Sequence, residues 1–303
     1  MDDSVAVAAP TEERNLASLH LDRMSTLEIL QLLNAEDARV PTAVAEVLPD
    51  LARVVDDTVV RIRSGGSVHY FGAGTSGRLA VLDAAELLPT FNVPAGLFVA
   101  HHAGGPDALV LPVENVEDDV EAGKREAAEL SSNDVAIGLT ASGRTPFVAG
   151  ALEVARSRGA LTALVTADPY SEIGPVVDHV LAPATGPEVV TGSTRLKAGT
   201  AQKLVLNGFS TAVMVALGRT WSNLMVDIVA TNAKLRGRVV RILREATGVD
   251  EDAAQEALAD AGGELKPALL FLLSGLSAEE GRRLLEEHGG SMAAVLSAVP
   301  PKR

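Results

Sequence analysis

Apolar residues recur at helical spacing through the first fifth of the chain, then give way to short apolar runs separated by glycine-rich turns. Ser25-Thr26-Leu27-Glu28 places hydroxyls ahead of a glutamate, a capping arrangement, and Leu27, Ile29, Leu30 and Leu33 follow on a predicted helix. A second helical stretch runs from about Pro41 to Ser64, where Val44, Val47, Leu48, Leu51, Val54, Val55, Val59 and Ile62 form a broad apolar stripe. Pro49 lacks the N–H that a helix interior needs, so a kink or break is expected near Leu48. Ser64-Gly65-Gly66 ends the stretch.

The pattern then alternates. Strands are predicted at Ser67–Phe71, Gly96–Ala100, Asp134–Leu139, Leu161–Thr166 and His179–Ala184. Between them lie a helix at Leu79–Leu88, a charged helical stretch at about Glu117–Leu130, and a helix at Pro146–Ser157 opened by proline. A long helix follows from about Thr194 to Leu217. Strand signals stop near Leu235, and short helices punctuated by glycine pairs take over. Strand–helix alternation of this kind predicts the α/β class with a parallel sheet. The expected organisation is a flexible arm over 1–15, an α/β domain over 16–238 and a small all-helical domain over 239–303.

Composition narrows the chemistry. Aromatic residues are only 3% against 47% hydrophobic, so the core must be built from Ala, Val and Leu, which suits helices packed closely on a parallel sheet. A formal charge of −14 repels phosphate backbones and anionic lipid, which argues against nucleic acid and membranes as partners. An anionic substrate would need local compensation from backbone amides, hydroxyls and a few placed cations. The absence of cysteine removes disulfides, thiolate nucleophiles and thiolate metal sites, and fits a reducing cytoplasm. The acidic start does not resemble a signal peptide, and no apolar run reaches the ~18 residues of a spanning helix. Neither a metal nor a cofactor is called for.

Two turns carry the binding chemistry. Gly72-Ala73-Gly74-Thr75-Ser76-Gly77-Arg78 follows a strand, opens a helix and satisfies G-x-G-x-x-G. A dinucleotide fold would want an acidic residue at the tip of the next strand, but that strand runs into His101-His102, so a nicotinamide cofactor is set aside. Thr75 and Ser76 instead suit a sugar or a phosphate. The second turn, Thr140-Ala141-Ser142-Gly143-Arg144-Thr145, has the same strand–turn–helix setting, and its amides at a helix start form an anion site without net positive charge. Ser142 and Thr145 as ordinary helix caps are the plainer alternative.

Thr140–Thr145 resembles the phosphosugar-binding loop of sugar isomerase (SIS) domains. Gly186–Lys203 (GPEVVTGSTRLKAGTAQK) is similar to the signature segment of N-acetylmuramic acid 6-phosphate etherases. Gly72–Arg78, Asn223–Asn232 (NLMVDIVATN) and Asp22–Glu28 resemble the same family, so the likeness runs from Asp22 to about Gly290. It implies a three-layer, parallel-sheet SIS fold with N-terminal helices and a small C-terminal all-helical domain. It also implies a phosphorylated amino-sugar substrate and a homodimer. The implied substrate-binding residues are Gly74, Thr75, Ser76, Thr140, Ser142, Arg144, Thr145 and Ser193, with Glu188 either a further sugar contact or a structural carboxylate.

The implied reaction removes a lactyl ether and needs two carboxyl groups, one of them protonated. By resemblance Glu86 is the acid that protonates the leaving oxygen, and Glu117 is a second acid/base, acting at C2 of the sugar. Spacing alone would leave Glu86 on a solvated helix face and Glu117 in a run of five acids between 114 and 121. The chain departs from the family in having Ala85-Glu86-Leu87-Leu88-Pro89-Thr90 where Ser-Glu-Cys-Pro-Pro-Thr is usual, and Asn115 where glycine is usual. Lys197, Lys203 and Arg78 could compensate phosphate charge or pair with nearby acids. His101-His102 read as surface or supporting residues, and Asn223, Asp227 and Asn232 as polar groups that fix helical packing. A sugar-phosphate isomerase of the same fold, and a non-catalytic phosphosugar sensor like the glucokinase regulatory protein, are the alternatives.

Overall fold

The computed structural model describes residues 9–111, 113–228 and 233–299. The chain divides into two compact units, one holding residues up to Ala84 and Gly96–Ser210, the other Ala85–Ala95 and the chain from Thr211 onward. In the first, α1 (Thr26–Asp37) starts with the expected capping box: the Glu28 amide donates to Ser25 Oγ, and the Ser25 amide to Glu28 Oε2 at 2.7 Å. The long predicted helix is two helices, α2 (Val40–Ala45) and α3 (Leu48–Arg63). Pro49 sits in the first turn of α3, where its missing N–H costs nothing, so it starts a helix rather than bending one. Residues 9–15 are tethered: the Gly192 amide donates to the Thr11 carbonyl at 3.1 Å, and Asn15 Nδ2 to Glu36 Oε2 at 2.9 Å.

The sheet strands are β1 (Val68–Gly72), β2 (Phe98–His102), β3 (Val135–Leu139), β4 (Leu161–Val165) and β5 (His179–Leu181). All pair in parallel, in the order β2-β1-β3-β4-β5. Every residue of β3 and β4 is buried, as a sheet covered on both faces requires. The edge strand β2 starts two residues later than expected and includes both histidines. Only its first residue is buried, so its sequence carries little apolar signal.

Helix α4 (Gly74–Phe91) follows β1 and absorbs the residues expected to form a free turn. After β2 come a short helix α5 (Asp107–Val110), absent from the expectations, and α6 (Val120–Glu126), capped by Asp119. Asn115 has φ 63°, in the left-handed region that asparagine, like glycine, reaches more readily than other residues. Helix α7 spans Pro146–Ser157 as predicted, and α8 spans Lys197–Ala216. The α6–α7 contact is glycine-dependent. A Cβ on Gly123 would lie 1.9 Å from the Phe147 carbonyl oxygen, and one on Gly150 would lie 2.4 Å from that of Val120.

In the second unit a short hairpin, β6 (Thr220–Trp221) and β7 (Leu224–Met225), precedes α9 (Ala233–Thr247), α10 (Glu251–Asp260), α11 (Leu265–Ser274), α12 (Ala278–Glu287) and α13 (Met292–Ala298). Asp250, Ser277 and Ser291 cap three of these helices. Val239, Leu243, Leu269, Leu270, Met292 and Val295 form the core. Within it, Lys266 Nζ donates to Asp227 Oδ2 at 2.8 Å and to the carbonyls of Gly218 and Gly290 at 3.0 and 2.9 Å. Asp227 thus fixes packing as expected, whereas Asn223 is exposed and Asn232 lies outside the described residues.

A polar chain crosses one face of β1 and β2. Ser67 Oγ donates to Asp134 Oδ1 at 2.8 Å and lies 2.9 Å from His69 Nε2. His69 Nδ1 is 2.9 Å from His101 Nε2, and His101 Nδ1 is 2.7 Å from Glu126 Oε2 on α6. Burial, with the neighbouring His101, pushes His69 down to about 4, against the opposing attraction of Asp134. Between that value and the ordinary histidine value, about 6.5, the unfolded chain binds the proton and the folded chain does not. Stability should therefore fall as pH is lowered through that window. Urea midpoints measured from pH 7.5 to 4 should show this slope, and His69→Gln should flatten it.

Candidate active site

The strand order reverses between β1 and β3, so the chain leaves these neighbouring strands in opposite directions and opens a crevice beyond their carboxyl ends. The register places Gly72 beside Leu139, which brings the two hydroxyl-rich turns side by side. In the first, the amides of Gly74, Thr75 and Ser76 belong to the opening turn of α4 and have no intrahelical acceptor. The hydroxyls of Thr75 and Ser76 make no hydrogen bond among the described residues. Gly77 permits the tight return: a Cβ there would lie 2.5 Å from the Gly72 carbonyl oxygen and 2.7 Å from His102 Cδ2.

In the second turn Thr140, Ser142 and Thr145 converge. Thr140 Oγ1 lies 2.7 Å from Thr145 Oγ1 and 3.2 Å from Ser142 Oγ. Thr145 stands at the N-cap of α7, yet its side chain caps nothing, so the plain capping alternative does not hold for it. Gly143 (φ 72°) reverses the backbone, and its carbonyl accepts from Ser171 Oγ at 2.5 Å. Arg144 is paired with Glu172 at 3.9 Å.

The signature segment wraps over the same end. Glu188 is fully buried, and its two oxygens accept from the Lys197 and Ala198 amides at 3.0 and 2.9 Å, the first turn of α8. Burial raises its carboxyl above the usual range, while the two amides hold it down. Of the two readings open for Glu188, a sugar contact or a structural carboxylate, its place at the positive end of α8 fits the second. Ala198 then packs on Ala141 and Ala167, and a Cβ on Gly199 would meet Thr75 Cγ2 at 3.5 Å. Ser193 is half-buried just ahead of α8, and its hydroxyl makes no hydrogen bond among the described residues.

Two expected phosphate partners are used elsewhere. Lys197 is buried against Glu36, which also accepts from Asn15 and Arg39. Burial alone would raise the Glu36 carboxyl, but these donors hold it below its ordinary range. Arg78 donates to the Leu109 and Ala108 carbonyls at 2.8 and 2.7 Å. Lys203 is exposed. Asp83, which sequence inspection passed over, accepts from Tyr70 Oη (3.0 Å), Asn207 Nδ2 (2.7 Å) and Ser210 Oγ (3.0 Å), knotting β1, α4 and α8 together. Burial raises its carboxyl against these donors. Only its DAAE context, an acid one turn before Glu86 on a helix, hinted at it.

Glu86 is exposed on α4, and Glu117 is exposed in the segment before α6. Among the described residues neither carboxylate makes a hydrogen bond or an ion pair. The Glu117 carbonyl accepts from the Phe147 amide at 2.9 Å, which fixes its backbone. Its neighbours in the acidic run behave as a solvated face: Asp119 caps α6, and Glu121 pairs with Lys124.

Residues 50–156 match the glucokinase regulatory protein N-terminal SIS domain, and residues 111–212 match the SIS domain. The chain is 61% identical over 268 residues to an N-acetylmuramic acid 6-phosphate etherase of Thermobifida fusca, covering 88% of each chain. It is 50% identical over 288 residues to the enzyme of that name from Pectobacterium atrosepticum, covering 94% of this chain and 95% of the relative. A phosphoheptose isomerase from Francisella tularensis shares the fold, with a TM-score of 0.50 at 19% identity over 63% of this chain and 100% of that one.

The helix-anchoring place of Glu188 has a direct consequence. Glu188→Gln turns an NH2 group towards one of the two α8 amides and should lower the melting temperature by several degrees. A purely ligand-binding glutamate would leave melting unchanged, and differential scanning calorimetry separates the two.

Proposed function

The chain belongs to the N-acetylmuramic acid 6-phosphate etherases, carbon–oxygen lyases that release lactate from the sugar phosphate, and on that premise we propose how its residues divide the reaction. The open ends of α4 and α7 hold the phosphate through the amides and hydroxyls of Gly74, Thr75, Ser76, Thr140, Ser142 and Thr145, with Arg144 and Ser193 completing the binding set. The observation that carries this assignment is the pair of uncapped, hydroxyl-lined helix starts on either side of the β1/β3 crevice.

In the open-chain sugar the C1 aldehyde acidifies the C2 proton, and Glu117 takes it. Electrons move to form the C2–C3 double bond, the C3–O bond breaks, and Glu86 protonates the departing lactyl oxygen. Glu86 then serves as base for the water that adds at C3, and Glu117 returns its proton to C2. The products are N-acetylglucosamine 6-phosphate and D-lactate, and the proton inventory closes without a redox partner. The negative overall charge, the phosphorylated substrate and the lack of cysteine favour the cytoplasm. Purified protein given N-acetylmuramic acid 6-phosphate should release D-lactate, and Glu86→Ala should lower kcat by at least ~100-fold, the usual scale of general acid catalysis. Glu117→Ala should do likewise. A folded protein that binds the sugar phosphate and releases no lactate would move the reading to a phosphosugar sensor.

The active form is inferred to be a homodimer. Leu27 and Leu30 on α1 are 64% and 57% exposed, and Leu82 on α4 is 53% exposed one helical turn before Glu86. Ala85 and Pro89 extend that exposed apolar strip, so a second copy would shield the face that carries the Glu86 carboxylate. Sedimentation equilibrium should give twice the 31.4 kDa of the chain, and a monomer at micromolar concentration would refute the assignment.

A further inference from the structure

Several buried side-chain atoms have no hydrogen-bond partner among the described residues: Thr11 Oγ1, His102 Nε2, Thr185 Oγ1 and Gln202 Nε2. They lie on segments that gather beyond the carboxyl ends of the strands. Thr11 is bonded through its backbone to Gly192, His102 ends β2, Thr185 follows β5, and Gln202 is in the second turn of α8. Gln202 is the most informative of them, being only 2% exposed. Three and four positions back on the same helical face stand Gly199 and Ala198. Ala198 packs on Ala141 of the second turn, and Gly199 abuts Thr75 of the first. That face of α8 therefore spans both turns, with the Gln202 amide one turn deeper beneath them.

A buried donor without an acceptor destabilises a fold, and leucine, of similar volume, would carry no such penalty. An amide at this depth is accounted for if its acceptor arrives with the ligand. Resting on the phosphosugar reading of the site, we propose that Gln202 is a further substrate-positioning residue. Its side-chain NH2 donates to an oxygen of the sugar phosphate held between the two turns.

The test compares the full-length parent with Gln202→Leu and with Gln202→Met, the second variant keeping side-chain length should leucine disturb packing. Three quantities are measured: calorimetric affinity for N-acetylglucosamine 6-phosphate, the melting temperature without ligand, and the kinetics of lactate release. In both variants affinity should fall roughly tenfold, the scale of one hydrogen bond, with KM rising more than kcat falls. Melting temperatures should equal or exceed the parent's. Affinity within twofold of the parent in both variants would overturn the proposal, as would lowered melting in both, which would mark a structural bond. If the parent binds the sugar phosphate without releasing lactate, the etherase route fails alone, and the affinity comparison still decides the place of Gln202.

Discussion

The arrangement of this protein hangs on one buried carboxylate at one helix end. Glu188 gives both oxygens to the first amides of α8 and so fills that helix's positive pole with the chain's own negative charge. Three long helices, α4, α7 and α8, start at the carboxyl end of the sheet. Filling the third leaves the starts of α4 and α7 open. The same contact fixes the start of α8 against Ala141 and Thr75, so the helix acts as a spacer between the two turns. The neighbouring Lys197–Glu36 pair, joined by Asn15, carries this anchoring back to α1 and the N-terminal arm. Breaking such a pair from one side leaves a buried charge uncompensated, which is how a structural ion pair becomes hard to replace.

The overall charge of −14 then ceases to be a paradox for an anionic substrate. The cations that proximity in sequence suggests for phosphate are committed elsewhere, Arg78 to the carbonyls of α5 and Lys197 to Glu36. What remains at the crevice is a cradle of amides and hydroxyls together with Arg144, itself paired with Glu172. The acidic exterior adds repulsion at longer range, screened over about 8 Å at physiological salt. The cradle thus favours a ligand small enough to bring its charge right to the helix ends.

Buried polar groups elsewhere serve position. Asp83 knots β1, α4 and α8, so the helix that bears the first turn cannot slide on the sheet. Lys266 does a comparable task in the helical unit, gathering Asp227 and two carbonyls at one point. Most of these groups satisfy one another. Among the described residues the few partnerless buried atoms include Gln202 Nε2, one turn into α8.

Much of the architecture was legible in the linear text because it obeys local rules. The capping box at Ser25, the proline-opened helix Pro146–Ser157 and the central strands each depend on residues within about four positions or on a run of apolar side chains. The turn hydroxyls and the lack of cysteine were equally plain. The roles of acids and bases were not, because they depend on partners far apart in the chain. Glu188 could not be seen to fill a helix end, nor Lys197 to meet Glu36 across 161 positions. The edge strand β2 and the hairpin β6–β7 were shifted or missed because half-buried, short strands leave almost no apolar signature. The sequence by itself determined most of the elements and the class of ligand. Only the path of the chain decided which helix ends stay open, because that depends on which distant carboxylate arrives to close one.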